Sequence, residues 1–124
     1  MLDRFDIHID VPRVDYDQLT SDRMGETSAI IRSRVEAARQ IQRERFDSMD
    51  ESHSRIACNA DMRVAEVRKF CKLGEASGSL ARAAMSQMNL SARGYHRVLK
   101  LAHPIADLAG IETIQTPHMA EALQ

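Results

Sequence analysis

The sequence predicts an all-α protein, a helical bundle of four to five helices preceded by one unpartnered β-strand. Three observations carry that expectation. Hydrophobic residues make up 44% of the 124 residues but aromatic ones only 4%, with no Trp and seven Met. The core must then be built from Ala, Leu, Ile, Val and Met, which fill the space between packed helices. Three prolines and five glycines are too few for the turns of a many-stranded sandwich. From Thr27 to Leu73 the chain has neither Gly nor Pro and is dense in Ala, Arg, Glu and Gln. One domain fits this length, and folding can bury roughly two-thirds of the surface that the unfolded chain exposes.

The first element is residues 2–14, LDRFDIHIDVPRV. Phe5, Ile7, Ile9 and Val11 share one face and Asp6, His8 and Asp10 the other, the period-2 pattern of a half-buried strand. One strand makes no sheet, so its partners are expected upstream of Met1 and the chain is expected to be part of a larger protein. Pro12 removes a donor and should stop the pairing. Residues 15–26 then read as an acidic connector ending near Gly25. The expected division is residues 1–25, a last core strand plus connector, and residues 26–124, a helical domain.

A long first helix follows from Thr27. Ile30, Ile31, Val35, Ala38 and Ile41 fall on one arc at 100° per residue while Arg32, Arg39 and Arg43 point the other way, and Ser and Thr at its start supply a cap. Residues 47–59, rich in Ser, Asp and His, are expected to be a loop. Residues 60–73, with Met62, Val64, Val67, Phe70 and Cys71, predict a second helix closed by Gly74 as a left-handed cap. Residues 75–78 lead to a third, with Leu80, Ala81, Ala84, Met85 and Met88 on its apolar side.

Asn89 and Leu90 mark a tight link, and Ser91 caps a fourth helix. Its apolar face is Tyr95, Val98, Leu99, Ala102, Ala106 and Ala109, opposite Arg93, Arg97 and Lys100. Pro104 inside it deletes a hydrogen bond and clashes with the Lys100 carbonyl, a cost of about 3 kcal/mol. Two outcomes stay open there, a kink or a stop near His103 followed by a short fifth element carrying Ile105 and Ala109. Gly110 ends the helix, and Thr116 as N-cap, with Pro117 at the first helical position, opens a final short one running to Leu123.

Composition removes several function classes. A formal net charge of −1 gives no global pull toward nucleic acid, although residues 1–26 carry a net −4 and the rest +3. No apolar run approaches the roughly 20 residues of a membrane span, and no basic start precedes an apolar stretch, so a cytoplasmic location and no membrane partner are expected. Cys58 and Cys71 lack CxxC spacing and a set of His ligands, so no metal site is expected and both read as reduced thiols. No GxxxxGK[ST] or GxGxxG glycine loop is present, so the chain alone has no phosphate cradle for ATP. His8, His53 and His96 could each be a ligand or base, but solvated or packed imidazoles are the simpler reading.

The arginines carry a resemblance. Asp3-Arg4-Phe5-Asp6 resembles the arginine-finger motif of AAA+ ATPases related to magnesium chelatase and the replicative MCM helicases, where xRFD precedes the last strand of the nucleotide-binding core. Residues 90–97, LSARGYHR, resemble the sensor-2 helix of the same group. Gly25-Glu26-Thr27-Ser28, Val35-Glu36-Ala37-Ala38-Arg39, Arg68-Lys69-Phe70-Cys71 and Ile105-Ala106-Asp107-Leu108-Ala109-Gly110 also look like the magnesium-chelatase-like ComM/YifB family. The similarity covers nearly the whole chain, and the order and spacing of the motifs make it specific. His103-Pro104 departs from the family's usual Arg-Thr pair.

That resemblance implies the C-terminal end of an AAA+ module, a last core strand followed by the helical lid. Walker A, Walker B and sensor-1 elements would then lie upstream. Arg4 would be the arginine finger, reaching the nucleotide of a neighbouring subunit, and Arg93 the sensor-2 residue, reaching the ATP phosphates of its own subunit. ATP and Mg²⁺ would be cofactors of the larger protein, with none expected for this piece, which should be catalytically silent alone. The implied partners are the upstream core, the neighbouring subunits of a hexameric ring and DNA. The implied work is ComM-like branch migration in recombination or natural transformation. Two other classes stand beside it. One is a small helical module binding DNA or protein through Arg93, Arg97 and Lys100 without ATP hydrolysis. The other is a structural oligomerisation domain.

Overall fold

The computed structural model describes residues 7–47 and 56–124. Arg4, Phe5 and Asp6 of the first motif, and His53 of the predicted loop, lie outside the described residues. Six helices make up the rest: α1 (Tyr16–Leu19), α2 (Ser28–Asp47), α3 (Val64–Phe70), α4 (Glu75–Gln87), α5 (Ala92–Leu108) and α6 (Thr116–Ala122). A 3-10 turn, Asn59–Asp61, precedes α3. The all-α expectation therefore holds.

Helix α5 is the axis of the bundle, with α2, α3, α6 and the 3-10 turn packed around it and α4 packed on α6. Phe46, Met62, Val67, Cys71, Ala81, Leu99, Ala102, Ile114 and Met119 form the core. Phe46 and Phe70 meet edge to face, ring centroids 5.6 Å apart, the arrangement that the aromatic quadrupole favours.

The predicted strand has no ladder partner in its described part. Residues 7–15 form neither strand nor helix and are exposed. A strand exists through ladder bonds to a neighbour, and the β-type pairing among the described residues is a single parallel bridge between Leu73 and Ile114. The connector also differs from expectation, because one turn of helix, α1, forms within it. Asp17 sits in its first turn, and at its end the Thr20 hydroxyl donates to the Tyr16 carbonyl at 3.1 Å and Ser21 to Gln18 at 3.0 Å.

The second predicted helix splits in two. The Asp61 carboxylate accepts the backbone N–H groups of Ala57 and Cys58 at 3.2 and 3.3 Å, closing a local turn that competes with the helix. Those bonds, with one from the Cys58 thiol, hold the Asp61 carboxyl below its ordinary pKa. Helix α3 starts afresh at Val64, where Glu66 reaches back to the Arg63 N–H at 2.7 Å.

Gly74 is not a left-handed cap. Its φ is −67° and it precedes α4 as the N-cap. Helix α3 stops at Phe70 because Leu73 must reach Ile114, and the chain re-enters helix at Glu75, earlier than predicted. That early start buries Ser77, whose hydroxyl donates to the Ile114 carbonyl at 3.4 Å.

At the other links the expected devices are present. Asn89 takes φ +49° between α4 and α5, a left-handed position that Asn tolerates. Ser91 accepts the Gly94 N–H at 3.1 Å as the N-cap of α5. Helix α5 runs through Pro104 to Leu108, so it does not stop at His103. It ends in a Schellman motif, with Gly110 at φ +70° donating to the Asp107 carbonyl and Ile111 to Ala106. The last helix is capped by Gln115 rather than Thr116, and the Gln115 N–H donates to His118 Nδ1 at 3.1 Å.

Candidate functional site

Arg93 is the second residue of α5 and projects from its N-terminal turn, exposed to solvent. Its place follows from the sequence around it. Asn89 turns the chain, Ser91 ties down the Gly94 N–H, and the first turn is fixed before Arg93 leaves the helix. Arg93 makes no ion pair or side-chain hydrogen bond with another described residue. What it offers is a permanently charged, forked donor at the end of a rigid helix, the geometry that suits a phosphate.

Arg97 and Lys100 follow on the same face at i+4 and i+7. Lys100 is engaged, its Nζ donating to the Ala60 carbonyl at 3.0 Å across to the 3-10 turn. That bond fixes where the Lys100 charge sits but leaves the charge in place. His96 is half-buried with its ring 5.9 Å from that of Tyr95, and His8 is exposed on the irregular N-terminal segment.

The far end of α5 holds an arrangement that the sequence reading missed. The Asp107 carboxylate, wholly buried, is clasped by the two terminal guanidinium nitrogens of Arg45 from α2, Nη2 on Oδ1 and Nη1 on Oδ2. Gln42 Nε2 reaches Oδ2 at 3.2 Å and Asn59 Nδ2 reaches it at 2.8 Å. Arg45 Nη1 also donates to Asn59 Oδ1 at 3.1 Å, and the Asn59 N–H to Gln42 Oε1 at 3.4 Å. One carboxylate thus gathers α2, the 3-10 turn and α5 into a single unit.

His103 lies one turn before Asp107, its Nδ1 3.8 Å from Oδ1, and is 1% exposed with neither ring nitrogen hydrogen-bonded. Burial first, then the neighbouring Arg45 charge, hold its pKa below the ordinary value. The signal for this cluster is present in the sequence. Gln42 and Arg45 continue the Ala38 stripe at helical spacing, and His103 and Asp107 continue that of Leu99, so polar residues occupy core positions on both helices.

An open cleft of about 520 Å³ lies beside the cluster, lined by Ile41, Arg45, Lys69, Phe70, Lys72, His103, Glu112 and Thr113. Lys69 lies over the Phe70 ring at 5.2 Å. The buried Cys71 is unsuited to nucleophilic chemistry. The buried Cys71 thiol is pushed up to about 12, chiefly by burial, and Cys58 donates to Asp61. Among the described residues no group of His, Cys, Asp or Glu could hold a metal ion, and no helix is long and apolar enough to cross a membrane.

Comparison with known proteins places these features in context. The family described as "Magnesium chelatase, subunit ChlI C-terminal" matches residues 25–124. The chain is similar to the competence protein ComM of Haemophilus influenzae, 41% identical over 124 residues, which is 98% of this chain and 22% of that protein. It is also similar to the uncharacterized protein YifB of Escherichia coli, 32% identical over 123 residues, and to that of Salmonella typhimurium, 30% identical over 123 residues. In each case the similarity spans 98% of this chain and 22% of the relative.

Proposed function

This chain belongs to the family of magnesium chelatase ChlI C-terminal domains, and from that premise we propose that it is the helical lid of a magnesium-chelatase-like AAA+ ATPase, coupling ATP hydrolysis to movement of DNA. The observation that carries the reading is the exposed guanidinium of Arg93, set on a capped helix start with no described partner. Its helix is locked at the other end to α2 through Asp107, and α2 is the element that follows the connector.

Arg93 would hold a phosphate of the nucleotide bound by its own subunit, and Arg4 would reach the nucleotide of the next subunit in a ring, a hexamer by family resemblance. ATP, bound with Mg²⁺ by the preceding core, supplies the transferable phosphoryl group; the lid supplies charge and position. A guanidinium keeps its charge at every physiological pH, so its contribution depends on distance alone. Closing the lid then brings Arg93 to the phosphate, and the Arg45–Asp107 anchor carries that rotation to α2 as one body. The segment before residue 26 would be the last core strand with its connector, completing a sheet whose other strands precede it. Alone, the chain would be catalytically silent. The name of the Haemophilus relative, a competence protein, favours DNA as the substrate, in branch migration during recombination or transformation, and a cytoplasmic location with it.

The test is steady-state ATPase activity of the longer protein that carries this chain, comparing wild type with Arg93→Ala and Arg4→Ala at matched oligomeric state. An arginine finger contributes about a thousandfold or more in turnover. A fall of that order for Arg4→Ala, relieved by mixing in subunits that retain the arginine, together with a loss for Arg93→Ala that mixing does not relieve, is the expected result. Unchanged hydrolysis in both variants would defeat the reading.

A further inference from the structure

The N-terminal half of α2 carries an apolar stripe that no other element among the described residues covers. Helix α2 has 20 residues, and its buried residues are Ala38, Gln42 and Phe46, all in the C-terminal half. Residues 28–37 are exposed throughout, with Ile30, Ile31 and Val35 on the same stripe that continues into the buried part. Ten of the thirteen exposed large hydrophobics among the described residues fall between Ile7 and Val35. Soluble monomers rarely gather apolar surface in this way unless something covers it. About ten residues of helix projecting without packing are also marginally stable in water.

We propose that the Ile30–Ile31–Val35 stripe is a docking face for the domain that precedes this one in the longer protein, a surface with an apolar centre and an acidic rim. Two observations choose that occupant. The family domain begins at residue 25, whereas similarity to the relatives spans 98% of the chain and only 22% of their length. Residues 7–24 are therefore shared with much longer proteins yet lie outside the helical domain, and they lead directly into the uncovered stripe. Arg34 falls within the arc of the stripe, whereas Glu36, the one acid of residues 28–41, lies on the opposite side. That arginine already pairs with an acid of the connector, Arg34 Nη2 to Glu26 Oε2 at 2.7 Å. The proposal rests on the lid reading for the nature of the preceding domain, but its readout is separate from hydrolysis.

Hydrogen exchange over α2 tests it, in the 124-residue chain and in the longer protein. The amides of residues 31–37 should exchange at least tenfold more slowly in the longer protein, while those of residues 42–47 are protected in both. Val35→Ala, which a helix tolerates, should erode that difference, and Ile31→Asp with Val35→Asp should abolish it while residues 42–47 stay protected. Equal, fast exchange of residues 31–37 in both proteins would overturn the proposal. So would protection in the isolated chain that disappears on dilution, since the occupant would then be a second copy. If the protection is present but Arg93→Ala hydrolyses ATP normally, the docking face stands and the lid reading falls.

Discussion

Arg45 of α2 and Asp107 of α5, 62 residues apart in sequence, meet as a two-pronged ion pair in which the carboxylate is fully buried and the guanidinium nearly so. Removing both charges from water is expensive, and the pair is tolerable only because the remaining donor and acceptor sites are taken up by Gln42 and Asn59. The bond joins the helix that leaves the connector to the helix that carries Arg93.

Breaking that pair from one side should therefore be severe. Asp107→Leu or Arg45→Met leaves a buried charge without its partner, and each is expected to cost about 3–5 kcal/mol in unfolding free energy. The paired change Arg45→Met with Asp107→Leu should recover most of the loss. Urea unfolding of the four proteins checks this; two single-variant losses that simply add in the double variant would show that the residues do not act as a pair.

His103 gives the fold an acid-side weakness. Its pKa in the folded state lies below its ordinary value of 6.5, because burial and the Arg45 charge oppose protonation. Above 6.5 the ring is neutral in both folded and unfolded chains and has no effect on the balance. As the pH falls below 6.5 the unfolded chain takes up the proton first, so stability declines through the window from 6.5 down to the lowered folded value. Urea midpoints at pH 7.5 and 5.5 should show this loss in wild type and a much smaller one in His103→Leu. That variant also removes two unpartnered ring nitrogens, so at pH 7.5 it should be no less stable than wild type. An equally steep decline in the variant would place the acid sensitivity elsewhere.

The sequence made the bundle legible where one residue type decides a local structure. Ser91 had to cap, Gly110 had to turn left-handed, and the two-faced pattern of α5 located the core. It misled where a tertiary contact decides. Gly74 was available for a left-handed turn, but the Leu73–Ile114 bridge set the chain's path instead. Arg93 was legible as a capped, outward arginine. Arg45 and Asp107 stand out in the sequence as charged residues at core phases, but their pairing was not legible, because each partner lies on another element.

The two thiols should differ sharply in reactivity. Cys71 is buried with its pKa pushed up to about 12, so almost none of it is thiolate near neutral pH, whereas Cys58 is half-buried. Labelling the native protein with a charged thiol reagent should modify Cys58 alone, and Cys71 should react only on unfolding. Mass spectrometry of tryptic peptides distinguishes the two; rapid native labelling of Cys71 would mean that the α3 end of the core opens readily.

Ser91 links local structure to the proposed role of Arg93. Its hydroxyl oxygen accepts the Gly94 N–H at 3.1 Å, one of the donors that a helix start otherwise leaves unmet. Ser91→Ala should cost about 1 kcal/mol, read as a lower urea midpoint. The bundle core lies deeper along α5, at Leu99, Ala102 and Ala106, so the cost should fall on the first turn as fraying. Exchange of the Gly94 and Tyr95 amides should accelerate while that of Ala102 is little changed. If Arg93 acts from a fixed helix start, the same substitution in the longer protein should lower ATP turnover, and Ser91→Asp, which restores an acceptor, should recover it. Fraying without any change in turnover would mean that hydrolysis does not depend on the helix start being held, and that Arg93 acts, if at all, from a flexible tether.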